Sequence, residues 1–384
     1  MKAVWYERTG PAPEVLVHGE MPTPTAGPGE VRVRLEASGV NPADVGRRGG
    51  GYRSMEYPRV VPNSDGAGIV DQTGDGVTRL KLGQRVWLFN GQRNGRAFGT
   101  AAEYISLAEH LVTPLPDQLS FAQGATLGIP AMTAWTCLFC DGPIVGKTVL
   151  VTGGAGAVGH YAVQLAKWGG AQVIATVSSA AKAEQARLAG ADLVVNYRTD
   201  DVVAKAMAFT GQRGVDRVVD VDFGGNIDTT LKLMGMNSTI AVYATNGNRT
   251  PVVPMRDLME KCIAVRALVL FALPPPLLAA AQVDITKWLA AGPRIHNVAA
   301  QFALSDSRAG ASSGRERRQA RHRHRGLRAV KPETGSRITI EGNAGCTGPW
   351  ARSKSRRSSS WRPSAARVSS CRSLPTRKSR NCPG

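Results

Sequence analysis

Val149-Leu-Val-Thr152 runs directly into Gly153-Gly154-Ala155-Gly156-Ala157-Val158-Gly159. Gly153, Gly156 and Gly159 fit the spacing G-x-x-G-x-x-G, close to a dinucleotide fingerprint. Glycines allow a tight turn and let the backbone approach a pyrophosphate. The helix that follows offers oriented N–H groups and a partial positive charge. The candidate diphosphate seat is therefore Gly153, Gly156, Ala157, Val158 and Gly159. Gly159 also permits close helix–strand packing. A glycine-rich turn alone is weak evidence. Here it stands between a β-branched run and a helical pattern, and further strand–helix units follow.

The end of the second strand of such a unit distinguishes the coenzymes. NAD sites usually place an acid there for the ribose hydroxyls. Ala175-Thr-Val-Ser-Ser179 has none; Lys182 follows, and Tyr197-Arg198 ends the third strand. Hydroxyls with a cation suit the 2′-phosphate of NADPH, the coenzyme we expect. A lone Lys is nevertheless more often a solvated helix residue.

Other chemistries find little support. Cys137-x-x-Cys140 lies in an apolar, helix-like segment, and no second pair stands at zinc-ligand spacing. His18, His110, His160 and His296 are scattered, without an H-E-x-x-H pattern, and no G-x-S-x-G elbow occurs. No metal ligand set and no hydrolytic nucleophile are expected.

The elements that must position these residues fall into two grammars. Residues 1–118 read as β-rich, with alternation at Val31-Arg-Val-Arg-Leu35 and frequent Gly and Pro. From 147 onward, strand-like runs at 172–177, 192–196, 215–221 and 239–242 alternate with helical segments, which implies a parallel sheet with helices on both faces. Residues 263–305 return to mixed character, with a helix expected over 277–291 after Pro274-Pro-Pro276. The expected division is 1–118, 119–262, 263–305 and a tail, 306–384.

The chain has 384 residues and a net charge of +19. Sixteen of those charges lie in residues 306–384, which hold 20 Lys and Arg against four acids, so the body carries only +3. Nucleic acid is therefore a partner only through the tail, if at all. That tail is rich in Arg and Ser and lacks apolar periodicity, so disorder is expected. No apolar stretch reaches the roughly 20 residues a bilayer requires, and the start, M-K-A-V-W-Y-E-R, lacks a signal-peptide core. A cytoplasmic location without membrane contact is the expectation. Six Cys, three of them beyond residue 340, do not read as a disulfide framework.

The body resembles the zinc-independent quinone oxidoreductases of the medium-chain dehydrogenase/reductase superfamily, the ζ-crystallin-like group. The motifs are Gly39-Val-Asn-Pro-Ala-Asp44, Pro62-Asn-Ser-Asp-Gly-Ala-Gly68, Gly83-Gln-Arg-Val86, Ile129-Pro-Ala-Met-Thr-Ala134, the glycine turn, and Gly190-Ala-Asp-Leu-Val-Val-Asn-Tyr197. The resemblance covers about residues 1–305. It implies an α/β fold: a doubly wound Rossmann sheet inserted in a GroES-like β-rich domain, here followed by a disordered basic tail. Zinc-using relatives carry a Cys in the place of Asn41 and a His-Glu pair at Ser64-Asp65. By resemblance, Asn41 and Thr133 lie by the nicotinamide, and Ser178, Lys182 and Tyr197 read the 2′-phosphate. Tyr52 falls where the family often lines its substrate pocket, though the 47–51 loop departs from the pattern and a surface Tyr fits equally. Asp222 is an extra acid against the usual D-x-V-G-G.

The implied activity is hydride transfer from NADPH to a quinone or related conjugated carbonyl, such as an enone, with the protein supplying proximity, a dry cleft and hydrogen-bond donors. The alternatives are an enone, enoyl-thioester or alcohol enzyme of the same superfamily, or an NADPH- or RNA-binding protein with little catalysis. The family often forms homodimers through the Rossmann sheet edge. Its members also end on a strand reading roughly G-x-V-x-V, where this chain has Glu316-Arg-Arg-Gln-Ala-Arg-His-Arg-His-Arg325. Read one base later, those codons can encode S-A-G-K-L-G-T-V-I-V. We therefore expect the natural frame to be lost near Ser307, leaving a sheet edge open and the protein less stable.

Overall fold

The computed structural model describes residues 1–51, 55–93, 95–307 and, for the backbone alone, 337–340. Tyr52 lies outside the described residues, as does the tail apart from that last segment. Among the described residues, no helix is long and apolar enough to cross a membrane.

The first part of the chain is β-rich. Strand β1 (Lys2–Trp5), a short helix α1 (Ala12–Val15) and β2 (Val17–Glu20) form an antiparallel pair with its connection. Then come β3 (Glu30–Gly39), α2 (Pro42–Arg48), β4 (Asp65–Thr73), β5 (Arg85–Leu88), β6 (Tyr104–Ala108) and β7 (Val112–Pro114). The alternation of β3 is that of a half-buried strand: Val31, Val33 and Leu35 are buried in one core with Val70, Val86 and Leu107. Helix α2 begins where a proline fits best. Asn41 is the N-cap in extended conformation, Pro42 is the first helical residue, and the Asn41 N–H donates to the Asp44 carboxylate at 2.9 Å.

Helices α3 (Phe121–Gly124) and α4 (Gly128–Phe139) lead to the parallel sheet. It is built from β8 (Thr148–Val151), α5 (Ala157–Trp168), β9 (Gln172–Val177), α6 (Ala180–Leu188), β10 (Leu193–Asn196), α7 (Val202–Phe209), β11 (Val215–Asp220), α8 (Phe223–Leu233), β12 (Met234–Val242), α9 (Met255–Glu260) and β13 (Ala264–Ala267). The strand order is β10-β9-β8-β11-β12-β13, every pair parallel. All four residues of β8 are buried, as expected for a strand covered on both faces. The pleat sorts them: Val149 and Val151 join one core with Val173 and Ala175, while Leu150 joins another with Ile174 and Val218. This is the doubly wound sheet expected from the sequence.

The chain then forms α10 (Pro275–Ala290) and returns with β14 (Ala300–Ala303). Helix α10 starts two residues before the expected 277, because Pro275 and Pro276 occupy first-turn positions whose N–H groups would be unpaired anyway. The boundary expected at 262 needs correction, since β13 lies within 263–305 and is the sixth strand of the parallel sheet.

A second correction concerns the tail. Backbone 337–340 forms β15 (Arg337–Ile340), which pairs parallel with Ala37–Gly39 of β3 and antiparallel with β14. The gap expected in this sheet is filled. The sequence gives the reason: Arg337-Ile-Thr-Ile340 is a short run rich in β-branched residues inside an otherwise Arg- and Ser-rich stretch.

Candidate functional site

The glycine turn sits at the C-terminal end of β8, the end at which open parallel sheets bind ligands. Gly153 has φ +66°, a conformation that favours glycine, and its N–H donates to Thr176 Oγ1 at 3.3 Å. The Gly154 N–H donates to the Thr176 carbonyl at 2.9 Å. Gly156 is the N-cap of α5, so Ala157 and Val158 open the helix. A Cβ on Gly159 would stand 2.3 Å from the Gly153 carbonyl oxygen. Only a bare Cα lets the helix approach the turn this closely.

Beside the turn lies a cleft lined by Thr152, Gly153, Thr176, Tyr197, Asp222 and Asn226, among others. Gly153 and Tyr197 thus line one cleft. Ser178 is buried just after β9, and Lys182 is half-buried in α6, whose N-cap is Ser179. These two belong to the same strand end but are not in the cleft lining. No acid stands at the end of β9. The acids lie instead after β11. Asp220 Oδ1 accepts from Thr152 Oγ1 (3.0 Å), Asn226 Nδ2 (2.7 Å) and the Asp222 N–H (3.0 Å), while burial pushes its carboxyl above the usual range. Asp222 Oδ1 accepts from the Gly247 N–H at 2.8 Å, so the extra acid ties the start of α8 to the segment after β12.

A second polar centre forms where β3, β4, α2 and α4 meet. Asn41 and Asp65 are 4% and 1% exposed. Asp65 Oδ2 accepts from Asn41 Nδ2 at 2.7 Å and from the Ile129 N–H, in the first turn of α4, at 2.8 Å. Thr133, also buried, follows one turn later on the same helix. Asp65 therefore joins Asn41 to the first turn of the helix that carries Thr133. Next to it, Asp44 Oδ1 accepts from Ser64 Oγ and from Arg93 in a buried ion pair, both at 2.9 Å. Burial, then the nearby Asp44 charge, push the Asp65 carboxyl up to about 8.

At this junction Asn41 donates to Asp65 and Ser64 donates to Asp44. Among the described residues, no group of three His, Cys, Asp or Glu could hold a metal ion. Sequence reading passed over Asp65 as a binding partner, although it stands in the motif Pro62-Asn-Ser-Asp65, and also passed over Thr176 and Asn226.

Residues 27–117 match the alcohol dehydrogenase GroES-like domain, and residues 157–279 match the zinc-binding dehydrogenase family. A quinone oxidoreductase of Rattus norvegicus is 32% identical over 68% of this chain and 78% of its own length. A quinone oxidoreductase structure from Pseudomonas syringae superposes with TM-score 0.70 at 27% identity, covering 88% of this chain and 99% of that one. A mycobacterial structure complexed with NADPH gives TM-score 0.72 at 25% identity, over 89% and 100%. Fold and site together define a medium-chain dehydrogenase/reductase. Within that superfamily the chain belongs to the quinone oxidoreductase family.

Proposed function

We propose that this protein is a zinc-independent, NADPH-dependent reductase of quinones or related conjugated carbonyls. The observation that carries the reading is the bare-backbone turn at Gly153–Gly159, opening on a cleft without an acid at the end of β9. NADPH, when bound, supplies a hydride. The chain's own work is to seat the diphosphate on the N–H groups of Ala157 and Val158, which open α5. Ser178, Lys182 and Tyr197 hold the 2′-phosphate, with Asn41 and Thr133 beside the nicotinamide; Tyr52, the expected substrate residue, lies outside the described residues. A quinone is electron-poor and stabilises the charge that develops on its oxygen, so Lewis-acid help from a metal is not required. The relatives named quinone oxidoreductase and the NADPH-bound mycobacterial structure support this reading.

The test is titration with NADPH and NADH, followed by NADPH oxidation with a small quinone. We expect tighter binding of NADPH, and Lys182→Ala should narrow the preference by roughly ten- to a hundredfold, since a charge-assisted hydrogen bond contributes roughly 1.5–3 kcal/mol. A folded sample without turnover above background would refute the proposal. The same reading includes a homodimer along β13, a sheet edge whose four residues are all exposed. Sedimentation of the intact chain as a monomer would remove that part.

A further inference from the structure

Asn41 is held by two different acids. Asp44 accepts its backbone N–H, and Asp65 accepts its side-chain amide. The first fixes where the residue starts; the second fixes where the amide points. Asp65 Oδ2 also accepts the Ile129 N–H, one of the first-turn donors that α4 cannot satisfy internally. A single oxygen is thus the common reference for the Asn41 amide and for the helix that carries Thr133.

The rest of Asp65 is equally constrained. Its carbonyl accepts from Thr100 Oγ1 at 2.6 Å, and Thr100 shares a 2.7 Å hydrogen bond with Ser38. Its carboxyl occupies a slot that glycine leaves open: a Cβ on Gly128 would stand 2.2 Å from Oδ1, and one on Gly39 would stand 3.2 Å from the Asp65 Cβ. Oδ1 is buried without a hydrogen-bond partner. Both donors converge on the other oxygen.

Resting on the reductase reading above, we propose that Asp65 is a positioning residue for hydride transfer, acting through Asn41 and the first turn of α4 rather than on substrate. A misplacement of about 1 Å is enough to lower such a reaction by about a hundredfold. The test uses the full chain. Asp65→Ala should lower kcat at least thirtyfold while leaving the NADPH Kd within twofold. In an Asn41→Ala background the same change should have little further effect. Asp65→Asn, which keeps an acceptor oxygen in place and mimics the neutral acid, should stay within threefold of the unmodified chain. If Asp65→Ala does not fold, the comparison of Asp65→Asn with Asp65→Glu decides. The longer Glu should lose at least tenfold, and the reverse order overturns the proposal. Unchanged kcat in Asp65→Ala, additivity with Asn41→Ala, or loss of NADPH affinity in step with kcat would each overturn it as well. An unmodified chain without quinone turnover would instead overturn the reductase reading, and this proposal with it.

Discussion

Glycine 128 shows how much rests on one missing side chain. It lets Asp65 Oδ1 lie against the main chain of α4. Gly128→Ala should destabilise the protein by about 1–3 kcal/mol, the usual range for overpacking, and thermal denaturation measures this directly. Asp65 itself makes stability depend on pH. Its folded carboxyl titrates at about 8, against 3.8 when unperturbed. Between those values the folded chain keeps a proton that the unfolded chain releases, so stability falls as pH rises through that window and levels off above it. Asp65→Asn should flatten this decline, seen as a thermal midpoint that changes less from pH 5 to pH 8. None of this was legible in the sequence. Pro62-Asn-Ser-Asp65 announces a motif, but the partners of Asp65 lie 24 and 64 residues away. The glycine turn was legible because its chemistry is local.

At the scale of elements, the βα alternation of 147–242 was readable because hydrophobic periodicity and turn residues are local signals. The sixth strand was not, because all four residues of Ala264–Ala267 are exposed and leave no alternation to read. Contacts between distant elements were equally hidden. His160 and His296 look scattered in the sequence, yet α5 brings them into one cluster. His160 Nε2 and the Ile295 carbonyl are 2.6 Å apart, and the Tyr161 hydroxyl lies 2.9 Å from His296 Nδ1 and 2.7 Å from Thr126 Oγ1. This cluster pins the segment before β14 to the parallel-sheet helices. Tyr161→Phe removes the shared hydroxyl and should destabilise by about 1–3 kcal/mol in urea unfolding, a buried acceptor being left unpaired. Burial first, then the neighbouring His160 and Arg294, lower His296 to about 4. Between 6.5 and 4 the unfolded chain takes up a proton that the folded chain refuses, so stability falls as pH drops through this range. His296→Gln should weaken that dependence, read as a smaller shift of the urea midpoint between pH 7 and pH 5.

At the scale of the molecule, charge and topology tell different stories. The +19 belongs almost wholly to residues 306–384, whereas the body is nearly neutral and carries the site. Composition hides the one short run, 337–340, that pairs with the strands of the body. Ending the chain at Ser307 removes β15, leaving β14 without the strand that links it to β3. We expect the thermal midpoint to drop by several degrees and aggregation to rise, measured by calorimetry and light scattering against the full chain. An equal midpoint would show that this pairing contributes nothing measurable.

The placement of β15 also sets a timetable. A ribosome releases this chain from its first residue, and domains generally fold as they emerge. The six parallel strands are all available once residue 267 is out, whereas the other sheet must wait for residue 340 before the stretch after Leu35 gains its last neighbour. The coenzyme half of the protein is therefore ready before the half that carries Asn41. During that interval the nascent polypeptide presents unfinished strand borders to whatever else is in the cell.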